Sequence, residues 1–490
     1  MLLNKLLNDV PHLQITNNFN PNILGVKFNS KEVKKGDLFV CLKGEVDGAT
    51  FLDEAIKNGA VACVCEDVLD TIIPVVVVEN ARKTLSLICK NFYGCACDEF
   101  KIVMVTGTNG KTTTSYILYN ILQQNKTKCA LIGTNGIFVD NKQIYYGLTT
   151  PDPTELHYYF EVLKKMGVTH IVMEASAHAI KLNKLCGIKA EQIIFTNLTN
   201  EHLDYFGTME NYAKTKLDFF SLDNANLAIT NADDDYGVTL LNKKMPVISY
   251  GLKNPADTFC VDINSSIMGL TFCANVMDEI IEISSSLVGF YNVYNILAAI
   301  TSAHCLGVDA KTIKQGVKNL KNIAGRFNKF LLDLNNLVVV DFAHTPDGFF
   351  NVLSEIKKLR QGKIITVFGC VGYSDAEKRK QMGEVASKFS DEIVLTSDNP
   401  NFAKFDDICL DILKGVSVPY TKIFDRFSAV KFAFSKLTKN TTIVLLGKGA
   451  ETSNLINGVK VPYSEAKAVE TCIEEFYNVK KGEGFGNSTV

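Results

Sequence analysis

The stretch "VTGTNGKTTT", residues 105–114, decides how the chain is read. It follows the apolar run "KIVM" (101–104) and opens a helix-like segment. A Gly/Thr-rich turn between a strand and a helix turns backbone amides and a helix N-terminus toward an anion. Gly107, Thr108, Asn109, Gly110, Lys111, Thr112 and Thr113 are therefore expected to cradle a phosphate chain. Lys111 would reach the β/γ-phosphates and Thr112 would offer a hydroxyl to Mg²⁺. The loop departs from the common phosphate-loop spacing, because Val105 stands where its first glycine is expected.

Outward from this loop the same grammar repeats. "HIVMEAS", "QIIFTNL" and "NLAITNA" are near-continuous apolar runs ending in small or polar residues, with helical stretches between them. Such runs predict parallel strands covered on both faces. The pattern restarts with "LVVVDFAHTP", "KIITVFGCVG", "DEIVLTSDNP" and "TTIVLLGKG", while shorter strands ("LFVCL", "VACVC", "PVVVVE") precede it. The expected fold class is α/β in three domains: residues 1–97, a central phosphate-loop parallel-sheet domain at 98–322, and a Rossmann-like domain at 323–490. In open α/β sheets ligands bind beyond the carboxyl ends of the strands, which is where the polar clusters fall.

The chain has 490 residues, 47% hydrophobic and 21% charged, enough apolar material for packed cores. A balance of 51 basic against 53 acidic residues argues against nucleic acid as a partner. No apolar run approaches the roughly 20 residues of a membrane span, and "MLLNKLLNDV" is too broken for a signal peptide. The 14 cysteines include Cys63/Cys65 and Cys95/Cys97 but no C-x-x-C, so buried free thiols in a reducing cytoplasm are expected.

Three further residues stand out. Glu174 in "MEASAH" is a carboxylate at a strand's end, and His202 in "TNLTNEHLDYFG" follows another strand at the same sheet edge. In "MENYAKTKLDFF", read as a helix, Lys216 has Tyr212, Ala213, Phe219 and Phe220 at i±3 and i±4. Lys214 has Glu210, Asn211, Leu217 and Asp218 there and belongs on the solvated face. An ammonium on an apolar stripe is costly unless it is paired, snorkels or is chemically converted.

Taken together, "GTNGKTT", "TTPDPTEL", "MEASAH", "TNLTNEHLDYFGTMENYAKTKLDFF", "GFYNVYNILAA", "AGRF", "DFAHTPDG", "VFGCVGYSDAEKR", "SDNPN" and "GKGAE" resemble, in order, the blocks of the Mur ligases. The subgroup is that of the UDP-N-acetylmuramoyl-tripeptide synthetases, and the resemblance covers nearly the whole chain. It implies an ATP-dependent ligase of peptidoglycan precursor synthesis, hence of cell-wall growth, cell shape and division. Such an enzyme is cytoplasmic, not membrane-embedded, and expected to be a monomer. The D-Glu γ-carboxylate of UDP-MurNAc-L-Ala-D-Glu would be phosphorylated, and the amine of a diamino acid would displace the phosphate. Alternatives are another amide ligase of the superfamily (D-Ala-D-Ala-adding, folate or cyanophycin type) or an ATP-binding switch.

By the same resemblance Lys111, Glu174, His202 and Lys216 are catalytic, and Thr112, Glu174, His202 and Lys216 serve Mg²⁺. Lys216 would be N6-carboxylated, which turns a misplaced cation into an anion. Asn295 would contact adenine, Asp341 the ribose, and Arg326 would lie near the nucleotide. Thr149, Thr150, Ser176 and Lys184 would hold the UDP-MurNAc-dipeptide, with Ser30 near uridine. Residues 323–325 would form a hinge. Ser374, Asp398, Asn399, Asn401, Gly447 and Glu451 would face the incoming amino acid.

The departures fall in and beside the dipeptide and amino-acid positions. Ala177, Lys184 and Ala450 replace the family's serine, arginine and histidine. In the diaminopimelate enzymes "GDRD" and "DNPR" carry two arginines, where this chain has "GYSD" and "DNPN", with Ser374 and Asn401 at the arginine positions. The expectation is a basic residue such as L-lysine or L-ornithine, with diaminopimelate as the alternative if Lys378 or Arg379 supplies the missing cation.

Overall fold

The computed structural model describes residues 1–17, 19–373 and 376–478, and Ser374 lies outside the described residues. The chain forms two compact units, one made of 1–107, 122–197 and 210–249, the other of 108–121, 198–209 and 250–490.

The first unit begins with five strands: β1 (Gln14–Thr16), β2 (Gly25–Lys27), β3 (Asp37–Val40), β4 (Ala62–Cys65) and β5 (Val75–Val77), in the order β1-β5-β4-β3-β2. β2 to β5 are parallel and only β1, at the edge, is antiparallel. "DLFV", "ACVC" and "VVV" are buried throughout, as strands covered on both faces must be. Leu38, Val40, Val64 and Val76 pack on one face, and Phe39, Cys41, Cys63, Cys65, Val75 and Val77 on the other. The helix Ala81–Phe92 covers the first face: Asn80 caps it, and Ala81, Leu85, Ile88 and Cys89 form its buried stripe.

A second sheet in this unit contains β6 (Lys101–Thr106), β7 (Cys129–Gly133), β8 (Gly136–Val139), β9 (Lys142–Tyr145), β10 (His170–Glu174), β11 (Ala190–Phe195) and β12 (Ala225–Asn231), followed by β13 (Val247–Tyr250). Its order β12-β11-β6-β10-β7-β8-β9 is parallel as far as β7 and antiparallel at β8 and β9. β6 therefore lies between β10 and β11. The phosphate-loop strand is flanked by the strands that end at Glu174 and just before the His202 segment.

The second unit differs from the expected strand–helix alternation at residues 258–285. These form three antiparallel strands, β14 (Thr258–Ser266), β15 (Gly269–Val276) and β16 (Glu279–Ser285). Burial alternates residue by residue along β15 and β16, so one face is wet, and a meander needs no crossover helix.

The rest of the unit is built on a six-stranded sheet: β17 (Asn328–Leu331), β18 (Leu337–Asp341), β19 (Ile364–Phe368), β20 (Glu392–Leu395), β21 (Tyr420–Lys422) and β22 (Thr442–Leu446), in the order β17-β18-β22-β19-β20-β21. All but β17 are parallel. Leu337, Val339, Ile364 and Val444 fill one side, and Val338, Val340, Ile365 and Ile443 the other. The ends of β18, β22 and β20 bring Asp341, Gly447 and Asp398 to one edge. A small hairpin, β23 (Ser453–Ile456) with β24 (Val459–Pro462), follows. Among the described residues no helix is long and apolar enough to cross a membrane.

Candidate active site

In the second unit the phosphate loop is shaped from two sides. Gly110 has φ +87°, and a Cβ there would run into the Asn295 carboxamide, so glycine is required by conformation and by space. Thr108 and Thr199 exchange bonds: Thr199 N donates to Thr108 Oγ1 (3.0 Å) and Thr108 Oγ1 to Thr199 O (3.2 Å). Asn109 donates to Asp347 (2.8 Å), and Lys111 Nζ to Thr108 O (2.8 Å) at the start of the helix Lys111–Gln124.

Beside this loop lies a cavity lined by Asn109, Gly110, Thr112, Thr113, Asn295, Arg326 and Asp341, all seven of them expected nucleotide contacts. Asn295, on the helix Tyr291–Cys305, donates to Asn292 (2.8 Å) and accepts from Thr114 (3.4 Å), which fixes its carboxamide. Arg326 sits 4.8 Å over the Phe342 ring and donates to Thr112 Oγ1 (2.8 Å). Asp341 accepts from Phe327 N (2.8 Å) and Ala343 N (2.7 Å), with further lone pairs for ligand hydroxyls. Its burial raises its pKa, and Arg326 opposes that rise. The Tyr291 hydroxyl, also lining the cavity, is buried without a hydrogen-bond partner, and burial pushes its pKa up.

A second cavity of the same unit, lined among others by Glu201, His202, His344, Asp347 and Lys378, contains a pair that the sequence reading missed. Glu201 is buried, and His344 Nε2 lies 3.2 Å from its Oε1, while His344 Nδ1 faces Phe342 O at 2.9 Å. Burial alone would raise the Glu201 carboxyl. The His344 bond, with the charges of His344, His202 and Lys111, overrides this and holds it well below the usual carboxylate range. His202 adopts a left-handed conformation (φ +57°) with Nε2 3.6 Å from Glu201. The sequence places Glu201 beside His202 and His344 inside "DFAHTP", but spacing alone cannot show that two loops 143 residues apart meet.

At the ends of β20 and β22 the expected amino-acid positions form one network. Lys448, fully buried and not anticipated, donates to Asn399 Oδ1 (2.7 Å), Glu451 (2.7 Å) and Ser453 O (2.9 Å), with Asp398 at 3.5 Å. Asn399 also donates to Glu451 (2.9 Å). Gly447 (φ +104°) has no room for a Cβ against the Asp398 carboxylate. Burial raises the pKa of Asp398, and Lys448 opposes that. Asn401 (φ +49°) accepts from Gly458 N (2.9 Å), so its carboxamide caps the β23–β24 turn. Arg379 is engaged with Asp411 (3.0 Å) and the carbonyls of Gly372 (2.9 Å) and Val371 (3.2 Å), which takes it out of the proposed compensating role. Lys378 lines the second cavity.

In the first unit Glu174 is held by Thr134, whose amide (2.9 Å) and hydroxyl (3.1 Å) donate to its two oxygens. Thr149 meets Thr134 at 3.2 Å, and Thr150 donates to Glu174 O (2.8 Å) and Ser176 Oγ (3.3 Å), so four expected residues are linked through Thr134 and the Glu174 backbone. Lys184 pairs with Asp152 at 2.7 Å, and Ser30 donates to Glu54 (2.6 Å). Gly107 has φ +143° and packs on Thr196. Lys216 is 1% exposed, donates to Gly107 O (2.5 Å) and lies 5.0 Å over the Tyr212 ring, whereas Lys214 is exposed and paired with Asp218.

Three family models match consecutive parts of the chain: the Mur ligase family catalytic domain over residues 22–93, the Mur ligase middle domain over 105–303 and the glutamate ligase domain over 325–449. The chain is 36% identical over 482 residues to the UDP-N-acetylmuramoyl-L-alanyl-D-glutamate–2,6-diaminopimelate ligase of Caldanaerobacter subterraneus, covering 97% of this chain and 99% of that protein. It is 38% identical over 454 residues to the protein of the same name from Aquifex aeolicus, covering 91% and 93%. A solved structure of a ligase of that name superposes with a TM-score of 0.69 at 28% identity, covering 97% of this chain and 100% of that one. A phosphate loop facing Asn295, Arg326 and Asp341, three α/β domains and full-length relatives lead to one conclusion: the chain belongs to the Mur ligase family.

Proposed function

We propose that the protein joins a diamino acid to the D-Glu carboxyl of UDP-MurNAc-L-Ala-D-Glu, with ATP hydrolysed to ADP and phosphate through an acyl phosphate. The observation that carries this is the cavity in which the phosphate loop, Asn295, Arg326 and Asp341 converge, in a chain whose relatives, matched over nearly their whole length, are named for that reaction. We assign 1–97 to the sugar nucleotide, 98–322 to ATP and 323–490 to the amino acid.

In this reading Asn295 binds the adenine edge and Asp341 the ribose hydroxyls. The loop amides hold the phosphates, and Lys111 offsets the negative charge that opposes attack of a carboxylate on phosphate. By the family resemblance, the Thr112 hydroxyl and the Glu174 carboxylate would each offer Mg²⁺ the oxygen it prefers, His202 would offer an imidazole, and Lys216 would add two oxygens as a carbamate in place of an ammonium. When bound, Mg²⁺ supplies charge neutralisation between nucleotide and attacking carboxylate. Thr149, Thr150 and Ser176 orient the dipeptide, and the Asp398–Asn399–Lys448–Glu451 network receives the amino acid. We assign the reaction to the cytoplasm.

The amino acid is 2,6-diaminopimelate by analogy with the relatives' names. A second reading, L-lysine or L-ornithine, is favoured by Asn401, uncharged and engaged with the hairpin where the diaminopimelate enzymes carry a guanidinium. The test is phosphate release from ATP with UDP-MurNAc-L-Ala-D-Glu and a diamino acid. Turnover that needs both is expected, and hydrolysis indifferent to both would sink the ligase reading.

A further inference from the structure

The first unit holds a thiol cluster that none of the chemistry above uses. β3 and β4 run parallel with Val40 opposite Val64, so the next residues, Cys41 and Cys65, are lateral neighbours, and Cys41 N donates to Val64 O (2.9 Å). Lateral neighbours on adjacent strands stand about 5 Å apart at Cα. That is inside the roughly 4.4–6.8 Å that a disulfide spans. Their sulfurs already lie 2.9 Å apart, on the same buried face. Cys63 is also on that face, with its sulfur 4.0 Å from Cys65, but it is two residues away on the same strand, which disfavours a bridge. Cys65 thus lies within hydrogen-bond reach of two thiols. The contacts with Cys41 and then with Cys63 lower its pKa against the effect of burial, and those two thiols are raised in turn.

Both cysteines stand at the carboxyl ends of their strands, where connecting segments leave the sheet. The segment after Cys41 carries Lys43, which pairs with Glu66 (3.4 Å) and Asp67 (2.9 Å) just after Cys65. Arg82 donates to Lys43 O (2.8 Å), and Gly48 N to Leu42 O (3.0 Å). The two connections are therefore already held together by weak bonds directly above the sulfurs.

We propose that Cys41 and Cys65 are a redox modification site, closing to a reversible disulfide that staples the 42–51 loop to the segment after β4. The oxidant class is a peroxide. The Cys65 thiolate attacks a peroxide oxygen, giving a sulfenic acid and hydroxide. Cys41 sulfur then attacks Cys65 sulfur, the S–S bond forms, and the sulfenic oxygen leaves as water with the remaining protons. Two thiols lose two electrons and hydrogen peroxide becomes two waters.

The test treats the full chain with hydrogen peroxide and reads intact mass, peptide maps and amide hydrogen exchange. Expected are loss of two hydrogens, a link between the Cys41 and Cys65 peptides that dithiothreitol reverses, and several-fold slower exchange within 42–51. Cys41→Ala abolishes the link and Cys63→Ala keeps it. The wild-type peptide map makes the assignment even if a variant fails to fold. A Cys63–Cys65 link, free thiols at 41 and 65 while half-exposed Cys95 or Cys186 oxidises, or unchanged exchange in 42–51 would each overturn the proposal. Its catalytic consequence rests on the proposed function, since the loop would then serve the sugar nucleotide: KM for the UDP-dipeptide shifts several-fold and that for ATP does not. Absence of ligase activity in a chain that cross-links as expected would count against the function and not the disulfide.

Discussion

Replacing Lys216 with methionine separates a structural lysine from a chemical one. The side chain is 1% exposed, packed on Tyr212, and makes a 2.5 Å hydrogen bond to the carbonyl of Gly107. Methionine keeps most of the apolar contact and removes that bond, so the Gly107 carbonyl loses a donor, a stability cost of about 1–3 kcal/mol. If Lys216 were only structural, activity at a temperature well below the melting point would stay within a few-fold of wild type. If its carbamate supports the metal, the loss resembles that of a residue supporting metal ligands, about 10–100-fold. The assay pairs phosphate release under saturating substrates with urea unfolding, and adds intact mass under bicarbonate to detect the carboxyl group. Lys214→Met, on the exposed face beside Asp218, is the control and leaves both readouts unchanged. Near-wild-type turnover in Lys216→Met, or equal losses in the two variants, would refute the reasoning.

Arg326→Ala loses both the stack on Phe342 and the bond to Thr112, a stability cost of about 2 kcal/mol by urea unfolding, and, because Arg326 lines the cavity, weaker binding of a non-hydrolysable ATP analogue is expected by calorimetry. His157 is buried beside Phe160 with Nε2 unpartnered, and desolvation, with Lys90 nearby, depresses its pKa to about 3. The folded state therefore binds fewer protons than the unfolded one. Its contribution is intact above about pH 6.5 and declines as pH falls toward 3, by roughly 2 kcal/mol at pH 5, and His157→Leu should flatten that slope in urea titrations. Asn401→Ala removes the acceptor for Gly458 N and should cost about 1 kcal/mol, with faster proteolysis of the β23–β24 hairpin than in wild type. Phosphate release with L-lysine, L-ornithine, meso-diaminopimelate and meso-lanthionine tests the amino acid, and efficient use of meso-diaminopimelate alone would show the argument from Asn401 and Ser374 to be wrong.

What was legible in the amino-acid order is what short-range periodicity encodes. "KIVMVTGTNGKTTT" reads as strand, anion loop and helix because each depends on neighbours within a few residues, and the helical period alone separates Lys216 from Lys214. The apolar runs that became β10, β11, β18, β19, β20 and β22 were equally plain, because a strand covered on both faces has no polar positions to hide it. The antiparallel meander at 258–285 was missed because its apolar residues alternate with polar ones and form no continuous run.

Tertiary structure alone decided which polar groups meet and which are already engaged. His344 finds Glu201 across 143 positions, and Cys41 and Cys65 become neighbours only because β3 pairs with β4 in that register. Arg379 and Asn401 looked available for a substrate, yet the fold engages one with Asp411 and two carbonyls and the other with a hairpin turn. A side chain's chemistry is set by its type, but its availability depends on which backbone donors and acceptors close packing leaves unsatisfied beside it. No spacing along the chain carries that information.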